Sequence, residues 1–161
     1  MAGSLNGLEI LELSRGTAGS IAGMLLVDQG ARVTRIEPER GKLTSRESGY
    51  RVWNRGKRSA FLDLTYEADQ ARLHALVQRA DVLIESHGAS VSQDQGFDYA
   101  TLAALNPRLI YCSISAYPHG SASDGRPDID ALVAARSGTQ WAQRGGIMSG
   151  GVMPVADVEI P

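Results

Sequence analysis

The sequence predicts an α/β domain built on a mostly parallel sheet with helices on both faces. Three observations lead there. Residues 8–13 (LEILEL), a loop, an apolar helix-like run and residues 33–37 (VTRIE) make one strand–helix–strand unit, which implies parallel strands. The same alternation of strand and helix patterns then continues to Gly138. Hydrophobic residues make up 43% of the 161, enough for one real core and against a disordered chain.

Taken in order, residues 8–13 follow Gly7 and alternate, giving a first strand, and residues 14–19 form the loop after it. Over residues 20–29 small and apolar side chains fill a helix that Ser20 is placed to cap and Gly30 to stop at the C′ position. Residues 33–37 make the second strand, ended by Pro38. Residues 39–58 are polar, rich in glycine and arginine, and read as the longest loop. Residues 59–64 read as a third strand. Thr65, with Glu67 nearby, then starts a helix whose apolar positions Leu73, Leu76, Val77 and Ala80 recur at helical spacing. Residues 82–84 give a short buried strand, and residues 86–96 a loop rich in serine, glycine and glutamine. Asp98 caps a helix through Leu105, which stops before Pro107. Residues 109–114 supply a fifth strand, followed by a loop carrying Pro118, Gly120, Gly125 and Pro127. A last helix opens around Asp130, with Asp128 as its candidate N-cap. Residues 145–161 are glycine-rich and then apolar with no closing element, and read as a cut end.

The bulk properties exclude several function classes. A net charge of -2 gives no overall pull toward nucleic acid or an anionic membrane. The longest early apolar run, residues 21–27, is too short to span a bilayer and ends at Asp28. The N-terminus lacks a signal-peptide pattern, so the expectation is a soluble, cytoplasmic protein. Cys112 is the single cysteine; it cannot form an intrachain disulfide, and in the strand YCSIS it reads as a small buried hydrophobe. The histidines His74, His87 and His119 show no zinc spacing, so no metal is expected. A serine-hydrolase elbow is absent.

In such a sheet, ligands bind beyond the carboxyl ends of the strands, which nominates the loops 14–19, 86–96 and 115–128. SRGTAGS precedes a helix N-terminus, a geometry that receives a phosphate or serves as a plain turn. It lacks the G-x-G-x-x-G spacing, which argues against NAD. Arg51, Arg55, Lys57 and Arg58 cluster beside Trp53, suited to phosphates or an acidic partner, with a solvated loop as the default reading. His87 and His119 lie in candidate loops, whereas His74 reads as a surface or boundary residue. Asp130, inside the first turn of its helix, is held ionised by the helix dipole; that suits a nucleophile and equally a helix-start residue.

Several ordered blocks carry a resemblance: AGSIAGMLLVDQGARVTRIE (18–37), NRGKRSAFLDL (54–64), ADVLIE (80–85), LNPRLIYCSIS (105–115), RPDID (126–130) with its helix to Ser137 and Gly138, and VAD (155–157). Over residues 5–157 the chain resembles the class III CoA-transferases, the family of formyl-CoA transferase, carnitine CoA-transferase and the α-methylacyl-CoA racemases. The resemblance implies a Rossmann-like large domain, of which residues 1–161 are the N-terminal part with no second domain. It implies coenzyme A as acyl-CoA substrate, a carboxylate acceptor, and an interlocked homodimer when full length. It places the nucleophile at Asp130, which attacks the thioester to give an acyl-aspartyl anhydride and then an aspartyl-CoA thioester. It places CoA contacts at Gly16 and Thr17, at Arg40 in the 38–40 region, at Leu62, and at Ser86 with His87. The chain departs from the family pattern in having Pro38 where arginine is frequent, Glu85-Ser86-His87 for Glu-Asn-Phe, Asp94-Gln95-Gly96 for Arg-Leu-Gly, and Pro118-His119-Gly120-Ser121-Ala122 for Gly-Gln-Thr-Gly-Pro. Two further expectations stand beside transfer. One is racemase-like proton chemistry at the α-carbon, with Asp130 and His119 as acid and base; it ranks lower because Ile129 occupies the position of the racemase histidine. The other is a diverged, non-catalytic domain in a larger assembly.

Overall fold

Alternation in LEILEL sends Ile10 and Glu12 to one side of the first strand and Leu11 and Leu13 to the other. All four are buried, so this strand lies inside a two-faced sheet. The computed structural model describes residues 3–38, 49–117 and 130–138. The chain divides after Ile114 into two units. In the first, β1 (Glu9–Leu13), β2 (Arg32–Glu37), β3 (Arg58–Phe61), β4 (Val82–Glu85) and β5 (Ile110–Ser113) form one sheet of order β3-β2-β1-β4-β5. Every pairing is parallel, and β1 meets β2 in the register Ile10 to Val33 and Glu12 to Arg35. The chain begins in the middle of the sheet, runs outward to β3 and returns to the other side of β1. The order therefore reverses between β1 and β4, which is where open α/β sheets bind ligands.

Helices cover both faces. On one, α1 (Gly16–Asp28) packs Ala22, Leu26 and Val27 against Ile10, Val33 and Ile84. On the other, Leu73 and Val77 of α3 (Glu67–Val77) and Leu102 of α5 (Tyr99–Leu105) join Leu11, Leu13, Leu83 and Phe97 in the larger core. Asp98 caps α5 by accepting from the Thr101 backbone N–H at 3.1 Å, and Gly30 ends α1 at a φ of 98°, both as the sequence indicates.

Several boundaries differ from the sequence reading. The helix expected to begin at Ser20 begins at Gly16, with Arg15 at the N-cap position and no side-chain cap. Ser20 instead lies inside the helix, its hydroxyl donating to the Gly16 carbonyl at 3.0 Å. The stretch read as one long loop holds a helical turn, α2 (Tyr50–Trp53), and the loop 86–96 holds α4 (Ala89–Asp94). Both are too short and polar to show an apolar period. The third helix starts at Glu67 rather than Thr65, because Asp63 takes both the backbone N–H and the hydroxyl of Thr65 into a local turn. Leu76 is partly exposed, pointing away from the Leu73–Val77 stripe. Cys112, expected to be buried, is exposed. Its strand is at the sheet edge, and Cys112 and Ile110 face the α1 side beyond the reach of α1, leaving Ile110 64% exposed.

The second unit, among the described residues, contains Ser115–Tyr117 and α6 (Asp130–Arg136), where the Arg136 guanidinium lies 6.0 Å from the centre of the Tyr117 ring. Asp128, the expected cap, and the preceding loop lie outside the described residues, as do Arg40 and His119.

The seating of α1 depends on glycine. A Cβ on Gly23 would stand 2.0 Å from a Glu12 carboxylate oxygen and 3.0 Å from Lys57 Nζ, both fixed side chains at the sheet. Glycine to alanine inside a helix ordinarily adds about 0.5–1 kcal/mol of stability. Here Gly23→Ala is expected to remove about 1–3 kcal/mol, as overpacking does, read as a lowered urea midpoint at unchanged slope.

Candidate functional site

At the carboxyl edge of the sheet, the reversal in strand order between β1 and β4 marks the place where such folds form a ligand crevice, and hydrogen bonds tie the segment after β4 to the segment after β1. The Ser86 hydroxyl after β4 accepts from the Arg15 backbone N–H at 2.7 Å and donates to the Arg15 carbonyl at 3.0 Å. Arg15 leads directly into α1, whose first residue, Gly16, has a φ of 71°, a left-handed conformation suited to glycine. Among the described residues no side chain caps α1 and its first turn holds no acidic residue, so the N–H groups of Gly16 and Thr17 lie at an uncapped, positive end of the helix dipole.

His87 stands beside Ser86. Its backbone N–H donates to the buried Glu85 carboxylate at 2.7 Å, and its ring meets Phe97 edge-on at 5.4 Å. Among the described residues its buried Nδ1 has no hydrogen-bond partner. Burial, reinforced by the positive charge of Arg15 and only partly opposed by Glu85, depresses the imidazole pKa to about 4, so the ring is neutral at pH 7.

On the α1 face, the same strands bury a charged cluster that the sequence reading did not identify. Glu12, fully buried, forms ion pairs with Arg35, its neighbour in register on β2, and with Lys57 at 2.7 Å. The Ser14 hydroxyl donates to the Glu12 carboxylate at 2.9 Å, and Arg35 donates to the Ser20 hydroxyl at 2.9 Å. Lys57 also donates to the Ser20 carbonyl at 2.8 Å and the Asn54 side-chain oxygen at 2.9 Å. Desolvation lowers the Lys57 pKa, and the bond to Glu12 works against that shift. Nearby, Glu37 accepts from the hydroxyls of Tyr50 and Ser59. Burial, then the bond to Glu37, pushes the Tyr50 phenol up to about 12. A pocket of about 260 Å³ opens over this cluster, lined by residues of β2, α2 and the start of β3.

The sequence candidates separate accordingly. Gly16, Thr17, Ser86 and His87 stand around the crevice between β1 and β4. Leu62 follows β3 with its side chain in the larger core and its backbone N–H bonded to the Glu37 carbonyl at 2.9 Å. Asp130 is the first residue of α6, and Arg40 is not among the described residues. The basic run expected as a solvated loop is split: Lys57 is sealed against Glu12, Arg55 pairs with Asp28, and Arg51 and Arg58 are exposed. The missed signal was a charge at matching positions of adjacent strands, Glu12 in LEILEL and Arg35 in VTRIE. Among the described residues no group of His, Cys, Asp and Glu is placed to hold a metal ion, and no helix is long and apolar enough to cross a membrane.

Comparison with known proteins places this geometry. The family model for CoA-transferase family III matches residues 5–156. The chain is 35% identical over 150 residues to the succinate–glutarate CoA-transferase of Agrobacterium fabrum, and 35% identical over 149 residues to the acetyl-CoA:oxalate CoA-transferase of Acetobacter aceti. These alignments cover 83% and 87% of this chain but only 38% of each relative, so the chain spans little more than a third of their length. The crystal structure of a CAIB/BAIF family protein from Brucella suis superposes with a TM-score of 0.87 at 30% identity, covering 97% of this chain and 44% of that one.

The state of His87 is directly testable. Unfolded, the imidazole titrates near its usual 6.5; folded, it titrates at about 4. Between those values the unfolded chain binds the extra proton, so the stability tied to neutral His87 is complete above pH 6.5 and drains away as pH falls toward 4. His87→Phe retains a ring against Phe97 and removes the titration. Its stability relative to wild type is therefore expected to rise as pH drops through that window, in parallel urea titrations. A constant difference would mean that His87 titrates as a solvated histidine.

Proposed function

The chain belongs to CoA-transferase family III, and from that premise we propose that the protein of which it forms the N-terminal part moves coenzyme A from an acyl-CoA to a carboxylic acid, with Asp130 as nucleophile. The observation that carries the reading is the family match over residues 5–156, a span that includes Asp130, joined to the place of that residue at the start of α6.

In the proposed reaction the Asp130 carboxylate attacks the thioester carbonyl, the C–S bond breaks, and CoA leaves as the thiolate. The product is a mixed acyl-aspartyl anhydride. The thiolate then attacks the aspartyl carbonyl, releasing the first acid and leaving an aspartyl-CoA thioester. The acceptor carboxylate attacks that carbonyl in turn, and the expelled thiolate takes the new acyl group from the second anhydride, which frees Asp130. Each step trades one carboxylate or thiolate for another, so no proton has to be stored and no oxidant is required.

The crevice between β1 and β4 suits the CoA end of this reaction. The open N-terminus of α1 offers backbone N–H groups and a positive dipole end to a pyrophosphate. Ser86 and His87 border the same opening, and a neutral imidazole adds no charge to it. Arg40 and the Leu62 backbone are the further contacts in this reading, and two full-length copies interlock to complete the site.

Incubation of the full-length protein with an acyl-CoA and hydroxylamine is expected to convert Asp130 to the hydroxamate, seen by peptide mass spectrometry. Asp130→Asn is expected to keep the fold and to lose CoA transfer by roughly three orders of magnitude or more. A fully active, unmodified Asp130→Asn protein would sink the proposal.

A further inference from the structure

None of the residues lining the pocket over the buried charge cluster is among the CoA contacts above, and among the described residues its charge does not balance. It is lined by Arg35, Glu37, Tyr50, Asn54, Lys57 and Ser59, with Arg51 and Arg58 also on its walls. Beneath it the ions cancel: Glu12 and Glu37 stand against Arg35 and Lys57. Arg51 and Arg58 are extra, and among the described residues neither has a carboxylate partner, whereas Arg55 between them in sequence is neutralised by Asp28. Among the described residues the pocket is therefore a net cationic opening over a neutral floor.

One donor on that floor is also left over. The Arg35 side chain is 3% exposed, yet among the described residues its Nε–H has no hydrogen-bond partner, the Glu37 oxygen being 3.5 Å away. A buried guanidinium N–H without an acceptor is costly, and an incoming oxygen would satisfy it. Nearby cations on Arg51 and Arg58 would hold the charge of the same group, as arginines do for planar carboxylates. A volume of about 260 Å³ corresponds to about nine water molecules in the liquid. That is ample for a short acid and far too little for a whole CoA.

We propose that this pocket binds the carboxylate of a small organic acid, held by Arg35 from below and by Arg51 and Arg58 at the mouth. In the transfer reaction such an acid is one of the two reactants, so the assignment of its role rests on that reading, while the binding itself does not.

Calorimetry on this chain with succinate as the probe is expected to show saturable binding. The affinity should fall by roughly tenfold or more in Arg51→Ala and in Arg58→Ala and stay unchanged in Arg55→Ala, whose side chain is engaged elsewhere. The three arginines are exposed or partly so, and far-UV circular dichroism identifies any variant that fails to fold; Arg51→Lys and Arg58→Lys then replace it, with the same loss expected from the missing fork geometry. Heats of dilution alone, equal affinity in all variants, or an affinity for inorganic phosphate matching that for succinate would each overturn the assignment. Succinate binding without hydroxylamine trapping at Asp130 would sink the transfer reaction and leave the pocket standing; trapping without binding would do the reverse.

Discussion

The carboxylate of Glu12, sealed between β1 and α1 against Arg35 and Lys57, is the constraint on which the rest of the sheet depends. Removing a carboxylate from water costs several kcal/mol even after relaxation, about as much again as the cations that answer it. Arg35 arrives from β2 and Lys57 from the segment before β3, so one charge gathers three separate parts of the chain. Apolar burial could not by itself set this arrangement. Because both faces of β1 are covered, sliding β2 by one residue would still bury hydrophobic side chains on each side. It would, however, send Arg35 to the wrong face and strand Glu12 without its partner. The ion cluster thus discriminates among registers that hydrophobicity leaves nearly equivalent.

The same cluster reaches the crevice. Ser14 touches Glu12 and begins the loop after β1; Ser20 touches Arg35 and Lys57 and is tied through its hydroxyl to Gly16. The open first turn of α1 is therefore held from the sheet side by buried charges and from the β4 side by Ser86 on Arg15. Backbone N–H groups fixed in this way present a geometry that a free glycine-rich loop would have to be ordered to reach, and the ordering cost falls on folding rather than on ligand binding. The missing Cβ atoms at Gly19 and Gly23 belong to the same construction, since they let α1 approach Ser14 and Glu12.

Much of this was legible in the sequence because local chemistry decided it. Asp98 caps α5, Gly30 ends α1 and four of the strands follow their β-branched and apolar runs, all choices made within a few residues, while β3, expected over residues 59–64, spans Arg58–Phe61. What was not legible depends on partners distant in the chain. Lys57 sits among arginines and looks solvated; only Glu12, far away in sequence, makes it a buried ion. Cys112 looks buried because its strand is apolar, but exposure depends on which helix reaches the sheet edge. The start of α1 was missed because a serine seemed the natural cap, whereas the helix begins uncapped at a left-handed glycine, an unusual entry that leaves N–H groups open for use. The segments that carry Gly16, Thr17, Ser86 and His87 follow β1 and β4, as their place after strands in the sequence indicates.

Asp130 shows why a helix-start carboxylate is ambiguous. The seven residues of α6 open on an aspartate and close on Arg136, charges that match the two ends of the dipole. That pairing stabilises so short a helix whatever else Asp130 does, and it accounts for an acidic residue there without any chemistry. It does not strictly require a carboxylate, although a negative charge is favoured in the first turn. Attack on a thioester does require it: an amide cannot become the leaving carboxylate of an anhydride. The helix-start role therefore accounts for an acidic residue at this position, and the proposed covalent chemistry would make that residue indispensable.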